Sequence, residues 1–198
     1  MRVFISTQLN SIMMASDISE KTTMNELQEL IPGSRRALFA KYHIGGCQSC
    51  GFDDSETIAE VCQRNDNLPV NEVLEHLRTS ADHDKKIQIE PKDLKSKIED
   101  TNNEIHLLDI RSREEFDATR IEGAQILTAE LQQEALGKWD KGTSVIIIDH
   151  AGDRSLDVAA FFIGHGMNNV LALAGGIDAY AREVDPSIPR YRIEIEAD

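Results

Sequence analysis

Three cysteines lie close together in the first third of the chain, and two of them are spaced as Cys47-x2-Cys50 on a glycine-rich segment. Two thiols at this spacing reach each other, so the pair can form a reversible disulfide or bind one metal ion. With Cys62 as a third thiolate and with His43, His76 or an outside ligand as the fourth, the segment is a candidate site for zinc or an iron–sulfur cluster. For Cys62 alone, the alternative is a buried apolar cysteine without chemistry.

A second candidate site is the segment from Asp149 to Ser155, which reads Asp-His-Ala-Gly-Asp-Arg-Ser. It follows Val145–Ile148, a strongly apolar strand pattern, and precedes an amphipathic helical pattern over 154–163. In parallel α/β sheets, sites form where strands end and loops lead into helix N-termini. Backbone N–H groups and the helix dipole favour an anion at such a position. The sequence therefore predicts a loop that is suited to hold a negative charge.

The cysteines lie in a segment, 21–78, whose periodicity is helical and which we predict to be a small all-α domain of four helices. A capping-box pattern from Thr23 to Glu26 opens the first helix. Ser34 is predicted to cap the second helix, Asp53 with Glu56 is predicted to open the third, and Pro69 is predicted to lie in the first turn of the fourth. The core of so small a domain gives it only marginal stability by itself.

The segment 79–86 is polar, charged and without period, so it is predicted to be a linker. From 87 to 192, short apolar runs alternate with helical patterns, which predicts an α/β domain with a mostly parallel sheet flanked by helices. The predicted strands are Ile87–Ile89, Ile105–Ile110, Val145–Ile148 and Val170–Leu173. Residues 1–20 carry no strong pattern and are predicted to be a disordered leader or the product of a gene start placed too early. Residues 193–198 are assigned to a tail.

The composition argues against several classes of function. Lys and Arg number 21 against 35 Asp and Glu, a formal charge of −14, and both halves of the chain are acidic. Binding to a phosphate backbone needs clustered positive charge, so we expect no nucleic-acid partner. The chain has no apolar run long enough to span a bilayer and begins with a poor secretory signal. Because the odd, clustered cysteines also do not form a secreted disulfide framework, we expect a cytoplasmic protein without a membrane partner.

Residues 86–190 resemble a rhodanese domain in four regions that follow the family's order. These regions are Leu107–Arg111 with Glu114–Phe116, Arg120–Ala124, Asp149–Ser155 and Leu173–Tyr180. The third corresponds to the family's Cys-x-x-Gly-x-Arg-Ser loop at the same length. In that family, the cysteine that opens the loop is the nucleophile and carries sulfur as a persulfide. The resemblance places Asp149 at its position.

This departure from the family pattern decides what the resemblance implies. A carboxylate cannot form a persulfide, and its charge opposes an anionic donor such as thiosulfate. The resemblance therefore implies a degenerate loop without a catalytic residue, formed by Asp149, His150, Ala151, Gly152, Asp153 and Arg154. We expect the Asp149 oxygens to accept the N–H bonds that would otherwise hold bound sulfur. The alternative is a new role for Asp149, with His150 as a general base or metal ligand.

Residues 23–77 resemble the CxxC domain of unknown function associated with hybrid-cluster proteins, and more distantly the N-terminal module of iron–sulfur-centre repair proteins. The matching segments are Leu38–Phe39, Tyr42–Gly45, Cys47–Gly51, Glu60–Cys62 and Val73–Leu74. This resemblance implies a redox or iron–sulfur association without a defined reaction.

Three hypotheses for the function follow from these residues. The first is a catalytically inactive rhodanese-like accessory, redox or binding protein of sulfur or iron–sulfur metabolism. Its partner would be a sulfur-carrier, iron–sulfur or redox protein. The second is an active sulfurtransferase that carries sulfur on Cys47 or Cys50. The third is a regulatory binding module in which neither half does chemistry.

Overall fold

The computed structural model describes residues 17–45, 51–100 and 104–191. The chain divides between Ala81 and Asp82 into two compact units, each with its own core. The pair Cys47 and Cys50 lies outside the described residues, as do 1–16 of the predicted leader and the predicted tail. Across the described ranges, no helix combines the length and the apolar character that crossing a bilayer requires.

Helices make up most of the first unit as far as it is described. They are α1 (Met24–Leu30), α2 (Ser34–Tyr42), α3 (Ile58–Arg64) and α4 (Val70–Lys86). A capping box opens α1 as predicted, because Thr23 accepts the N–H of Glu26 and the Glu26 carboxylate accepts the N–H of Thr23. Thr57 and Glu60 open α3 in the same way. An antiparallel bridge between Thr23 and Thr57 ties the two helix starts together.

Two predicted helix starts are wrong. Gly33 is the N-cap of α2, whereas Ser34 lies within the helix and its hydroxyl is buried without a hydrogen-bond partner among the described residues. The third helix does not start at Asp53, because Asp53 and Glu56 close a turn of their own. The N–H of Asp53 donates to Glu56 at 2.7 Å, and α3 begins only after this turn.

The polar segment 79–86 is not an irregular linker, since it forms the second half of α4. Its polarity is misleading because only one stripe of this helix is buried, and Val73, Leu77 and Ala81 recur along it at a spacing of about one turn. The prediction of a disordered leader over residues 1–20 is wrong for its last residues. Ile18 is buried in the first unit's core, and its carbonyl accepts a hydrogen bond of 2.7 Å from the Arg78 guanidinium.

The second unit is a parallel sheet flanked by helices, as predicted. Its five strands are hydrogen-bonded in the order β1-β5-β4-β2-β3, and every pair is parallel. The strands are β1 (Gln88–Ile89), β2 (Ile105–Asp109), β3 (Ala124–Ile126), β4 (Ser144–Ile148) and β5 (Val170–Leu173). The helices are α5 (Pro91–Glu99), α6 (Arg113–Ala118), α7 (Ala129–Lys138), α8 (Asp153–Gly164) and α9 (Gly176–Glu183). In this arrangement the carboxyl ends of the strands meet at one edge of the sheet.

Strand β4 runs through the middle of the sheet and is buried on both faces. Ile146 and Ile148 pack in one apolar cluster, whereas Val145 and Ile147 pack in a second cluster with α8. Because side chains alternate along a strand, each cluster covers one face of the sheet. This is why the sequence shows a continuous apolar run here rather than an alternating one. The loop that follows β4 is therefore anchored on a rigid strand.

Two neighbouring phenylalanines of α8 allow a matched test of this core. Phe162 is fully buried, whereas Phe161 is 42% exposed. Phe162→Ala should lower the free energy of unfolding of this unit by about 3–5 kcal/mol, because it leaves a core cavity. Phe161→Ala should change it by about 0.5 kcal/mol or less. Fluorescence of the single tryptophan, Trp139, during urea unfolding reports on this unit because Trp139 packs against the same cluster. Similar losses in both variants would contradict the described packing.

Candidate functional site

Asp149 is the first residue after β4, and it is only 3% exposed. Its Oδ1 accepts the backbone N–H of Gly152 at 2.7 Å, and its Oδ2 accepts that of Arg154 at 2.9 Å. The carboxylate therefore lies inside the turn made by its own loop. Gly152 is the N-cap of α8, so the charge also lies at the positive end of that helix, where an anion is favoured. This is the arrangement expected of a carboxylate that fills the loop.

The loop is fixed from the other side by the start of α9. The N–H of Ile177 donates to the carbonyl of Asp149 at 2.9 Å, and the N–H of Asp178 donates to the carbonyl of His150 at 3.2 Å. Both donors belong to the first turn of α9, whose N–H groups have no partner within the helix. The loop thus supplies the acceptors for N–H groups at the starts of both α8 and α9.

Two glycines let these backbones approach each other. Gly152 has a φ of +93°, and a Cβ there would lie 2.5 Å from the backbone nitrogen of Gly175. A Cβ on Gly176 would lie 2.5 Å from the carbonyl carbon and oxygen of His150. No side chain fits in either place without moving backbone. The Gly-Gly pair after β5 is therefore part of the site's construction.

A buried ion pair lies at the neighbouring strand end. Arg111 contacts both carboxylate oxygens of Asp109, with Nη2 at 2.7 Å from Oδ2 and Nε at 3.0 Å from Oδ1. Its guanidinium also donates to the carbonyl of Thr119 and to the hydroxyl of Tyr191, each at 2.7 Å. Burial acts to lower the pKa of Arg111, but the hydrogen bonds to Asp109 and Tyr191 and the Asp109 charge raise it. The fully paired cation fixes the relative positions of all these groups.

Tyr191 extends this network toward the loop. Its hydroxyl donates to Oε1 of Glu115 at 2.7 Å, and its ring centroid lies 4.6 Å from that of His150. Burial, together with the bond to Glu115, raises the pKa of Tyr191 to about 12. Burial also acts to raise the pKa of Glu115, but the bonds from Tyr191 and Ser112 and the Arg111 charge lower it. At neutral pH the phenol is therefore protonated and the carboxylate is charged.

Arg111 and Glu115 also line a cavity of about 180 Å³ beside the loop. Its lining includes two basic side chains, Arg111 and Arg154, and three acidic ones, Glu115, Asp149 and Asp153. Burial, followed by the nearby charges of Asp149 and Asp157, raises the pKa of Asp153. His150 also lines the cavity, and its Nδ1 is buried without a hydrogen-bond partner in the described part of the chain. Acidic side chains thus outnumber basic ones in the lining of this cavity.

Comparison with known proteins identifies this unit. Residues 90–183 match the model of the rhodanese-like domain family. Over 88 residues the chain is 32% identical to the thiosulfate sulfurtransferase GlpE of Actinobacillus succinogenes, which is 44% of this chain and 79% of that protein. The chain belongs to the rhodanese-like family.

Two further proteins are similar to part of this chain. The chloroplastic rhodanese-like/PpiC domain-containing protein 12 of Arabidopsis thaliana is 31% identical over 115 residues, which is 54% of this chain and 37% of that protein. The match therefore spans little more than a third of this relative's length. A Staphylococcus saprophyticus protein of known crystal structure is 26% identical, with a TM-score of 0.42 over 52% of this chain and 98% of that one.

The cysteine site predicted in the other unit is only partly within the described residues. Cys62 is 1% exposed in an apolar cluster with Ile58 and Val61, and burial raises the pKa of its thiol. His43 ends α2 in a left-handed conformation, with its ring 5.9 Å from that of Phe39. Within the described ranges, no group of three or more His, Cys, Asp or Glu side chains is placed to hold a metal ion. The roles of Cys47 and Cys50 stay predictions.

Sequence reasoning missed the network beside the rhodanese-like loop. Asp109, Arg111 and Glu115 belong to a region that carried the family resemblance, but nothing in that region indicated that their side chains meet at the loop. No local pattern marks Tyr191, because its partner Glu115 lies 76 positions earlier in the chain. The one available signal was the position of Glu115 in the first turn of the helix that follows β2, at the carboxyl edge of the sheet.

A pair of glycines tests how tightly the loop is packed. Gly166 has a φ of +91°, close to that of Gly152, but a Cβ on Gly166 would meet nothing within 4 Å. Gly166→Ala should destabilise the rhodanese-like unit by roughly 1–2 kcal/mol, the cost of a left-handed backbone. Gly152→Ala should cost clearly more, because its Cβ also meets the Gly175 backbone. Urea unfolding followed by Trp139 fluorescence measures both, and equal costs would contradict the close approach.

Proposed function

We propose that the rhodanese-like unit is a binding module of sulfur metabolism that does not itself carry sulfur. The observation that supports this is the Asp149 carboxylate, held by the N–H groups of Gly152 and Arg154. Because the family resemblance puts Asp149 where rhodaneses have their nucleophilic cysteine, the loop has no atom that can form a persulfide. In this proposal the module is a relative of the thiosulfate sulfurtransferase GlpE that has no sulfur-carrying residue of its own in this loop.

The electrostatics of the loop support the same conclusion. The two N–H bonds that would stabilise a bound sulfur anion are already accepted by Asp149. Glu115 and Asp153 add negative charge to the same cavity, and the Arg111 guanidinium is already paired with Asp109. A thiosulfate ion entering this cavity would displace a covalently attached carboxylate and meet like charges at close range.

In this proposal the helical half is a CxxC domain that carries the thiol chemistry. Cys47 and Cys50 form either a redox pair or, with His43, part of a zinc or iron–sulfur site, and Cys62 is the third candidate ligand. The burial of Cys62 among aliphatic side chains favours a structural role for that residue. The partner would be a sulfur-carrier, iron–sulfur or redox protein of the cytoplasm, brought to the thiols by the rhodanese-like half.

Sulfur-transfer activity tests the proposal directly. The wild-type protein should show no thiosulfate:cyanide sulfurtransferase activity, because Asp149 cannot hold sulfur. Asp149→Cys should gain measurable activity, since a thiolate can accept the same two N–H bonds. Asp149→Ser is the matched control, because it is similar in size but forms no persulfide. The measurement is the formation of thiocyanate.

Two outcomes of this assay would contradict the proposal. Wild-type activity that disappears in Cys47→Ser or Cys50→Ser would favour a sulfurtransferase that uses the CxxC pair. Wild-type activity that disappears when Asp149 is replaced would show that the carboxylate has a catalytic role.

The state of the CxxC pair tests the second half of the proposal. If Cys47 and Cys50 form a disulfide, the number of titratable thiols per molecule of intact protein should rise by two after mild reduction. If they form a metal site, the protein should contain bound zinc or iron after anaerobic purification. Either signal should be lost in Cys47→Ser and kept in Cys62→Ala, because Cys62 is part of the core. Free, unreactive Cys47 and Cys50 thiols without metal would contradict a chemical role for this half.

A further inference from the structure

The last described residues of the chain lie against the candidate site. Tyr191 contacts three side chains of the cavity lining: it bonds to Arg111 and Glu115 through its hydroxyl and packs its ring against His150. Its hydroxyl therefore occupies the point where a ligand of the cavity would reach the guanidinium and the carboxylate together.

The residue before Tyr191 is held as well. Arg190 donates from Nε and Nη2 to the two oxygens of Asp178, at 2.7 and 2.9 Å. Asp178 belongs to the first turn of α9, and its own N–H donates to the carbonyl of His150. The segment 185–191 is thus held near His150 by two contacts. Arg190 bonds to Asp178, and the Tyr191 ring packs against the His150 ring. The Arg190 side chain is half-exposed, so this ion pair is a weak, reversible fastening.

We propose that Tyr191 is a displaceable cover of two atoms at the edge of the cavity, Nη1 of Arg111 and Oε1 of Glu115, so that a ligand in the cavity bonds to both atoms only after the segment 185–191 moves away. This inference builds on the binding role proposed above for the cavity, but its test involves no sulfur transfer and fails separately. The contact is autoinhibitory, because the chain's own phenol fills the position that an incoming group needs.

The bonds that Tyr191 makes define what replaces it. An incoming group must accept a hydrogen bond from Nη1 of Arg111 and donate one to Oε1 of Glu115, as the phenol does. A hydroxyl or a primary amide does both, whereas a sulfur anion accepts only and would face the Glu115 carboxylate. The uncovered site therefore selects a neutral hydroxyl- or carboxamide-bearing ligand over an anion. The high pKa of Tyr191 fits this assignment, since the phenol stays protonated and keeps donating throughout the neutral range.

The reactivity of His150 toward diethyl pyrocarbonate tests the cover. In the full-length protein at neutral pH, Tyr191→Ala should raise the rate of His150 modification several-fold, as measured by mass spectrometry of its peptide. Tyr191→Phe keeps the ring but loses both hydroxyl bonds, so its rate should lie between those of wild type and Tyr191→Ala. The exposed His165 serves as the internal reference for reagent concentration and for folding. Phe39→Ala is the matched control variant, because it removes an exposed aromatic ring of the first unit and should leave the rates at His150 and His165 unchanged.

The ligand class is tested in the same reaction. p-Cresol, which is the free tyrosine side chain, should slow His150 modification in Tyr191→Ala relative to His165, and thiosulfate should not. An unchanged His150 rate in both Tyr191 variants would overturn the cover, as would an equal rise at every histidine, which reports general opening. Protection by thiosulfate but not by p-cresol would overturn the assigned ligand class.

Discussion

The site depends on the pairing between the Asp149 carboxylate and the backbone N–H groups at the start of α8. A loop that points N–H groups inward must satisfy them, because each buried donor without a partner costs about 1–3 kcal/mol. In a rhodanese-type loop that requirement makes the site an anion receptor. Here, the first residue of the loop supplies the anion covalently, at 2.7 and 2.9 Å from two nitrogens. The receptor is therefore occupied by the chain itself.

The remaining contacts around the loop keep this arrangement in one geometry. The Gly-Gly turn after β5 lets the start of α9 bond the loop carbonyls, and the Asp109–Arg111 pair holds Tyr191 beside His150. A buried ion pair is weak evidence for stability. The Arg111 guanidinium is nevertheless hydrogen-bonded to Asp109, Thr119 and Tyr191, so it fixes the positions of these groups relative to one another. The result is a cavity beside the loop whose lining holds the carboxylates of Glu115, Asp149 and Asp153 and the guanidinium groups of Arg111 and Arg154.

The sequence predicted the parts of this structure whose signals are local and repeated. Strands β2, β4 and β5 appear as apolar runs because both faces of the sheet are covered, and the loop after β4 follows from that placement. Strand β3 was missed because its three residues are only partly buried or exposed, so they show no apolar run. The second half of α4 was mistaken for a linker because a single buried stripe is sparse in a charged helix. Tyr191 was beyond reach because its partners are brought together only by the folded sheet.

Amide hydrogen exchange at Gly152 and Arg154 tests the central claim most directly. If the Asp149 carboxylate holds these two N–H groups, both amides should exchange slowly in the wild-type protein and much faster in Asp149→Ala. The amides of β4 should remain slow in both proteins, because they belong to the sheet. Fast exchange of Gly152 and Arg154 already in the wild-type protein, at the rate seen in Asp149→Ala, would contradict the account.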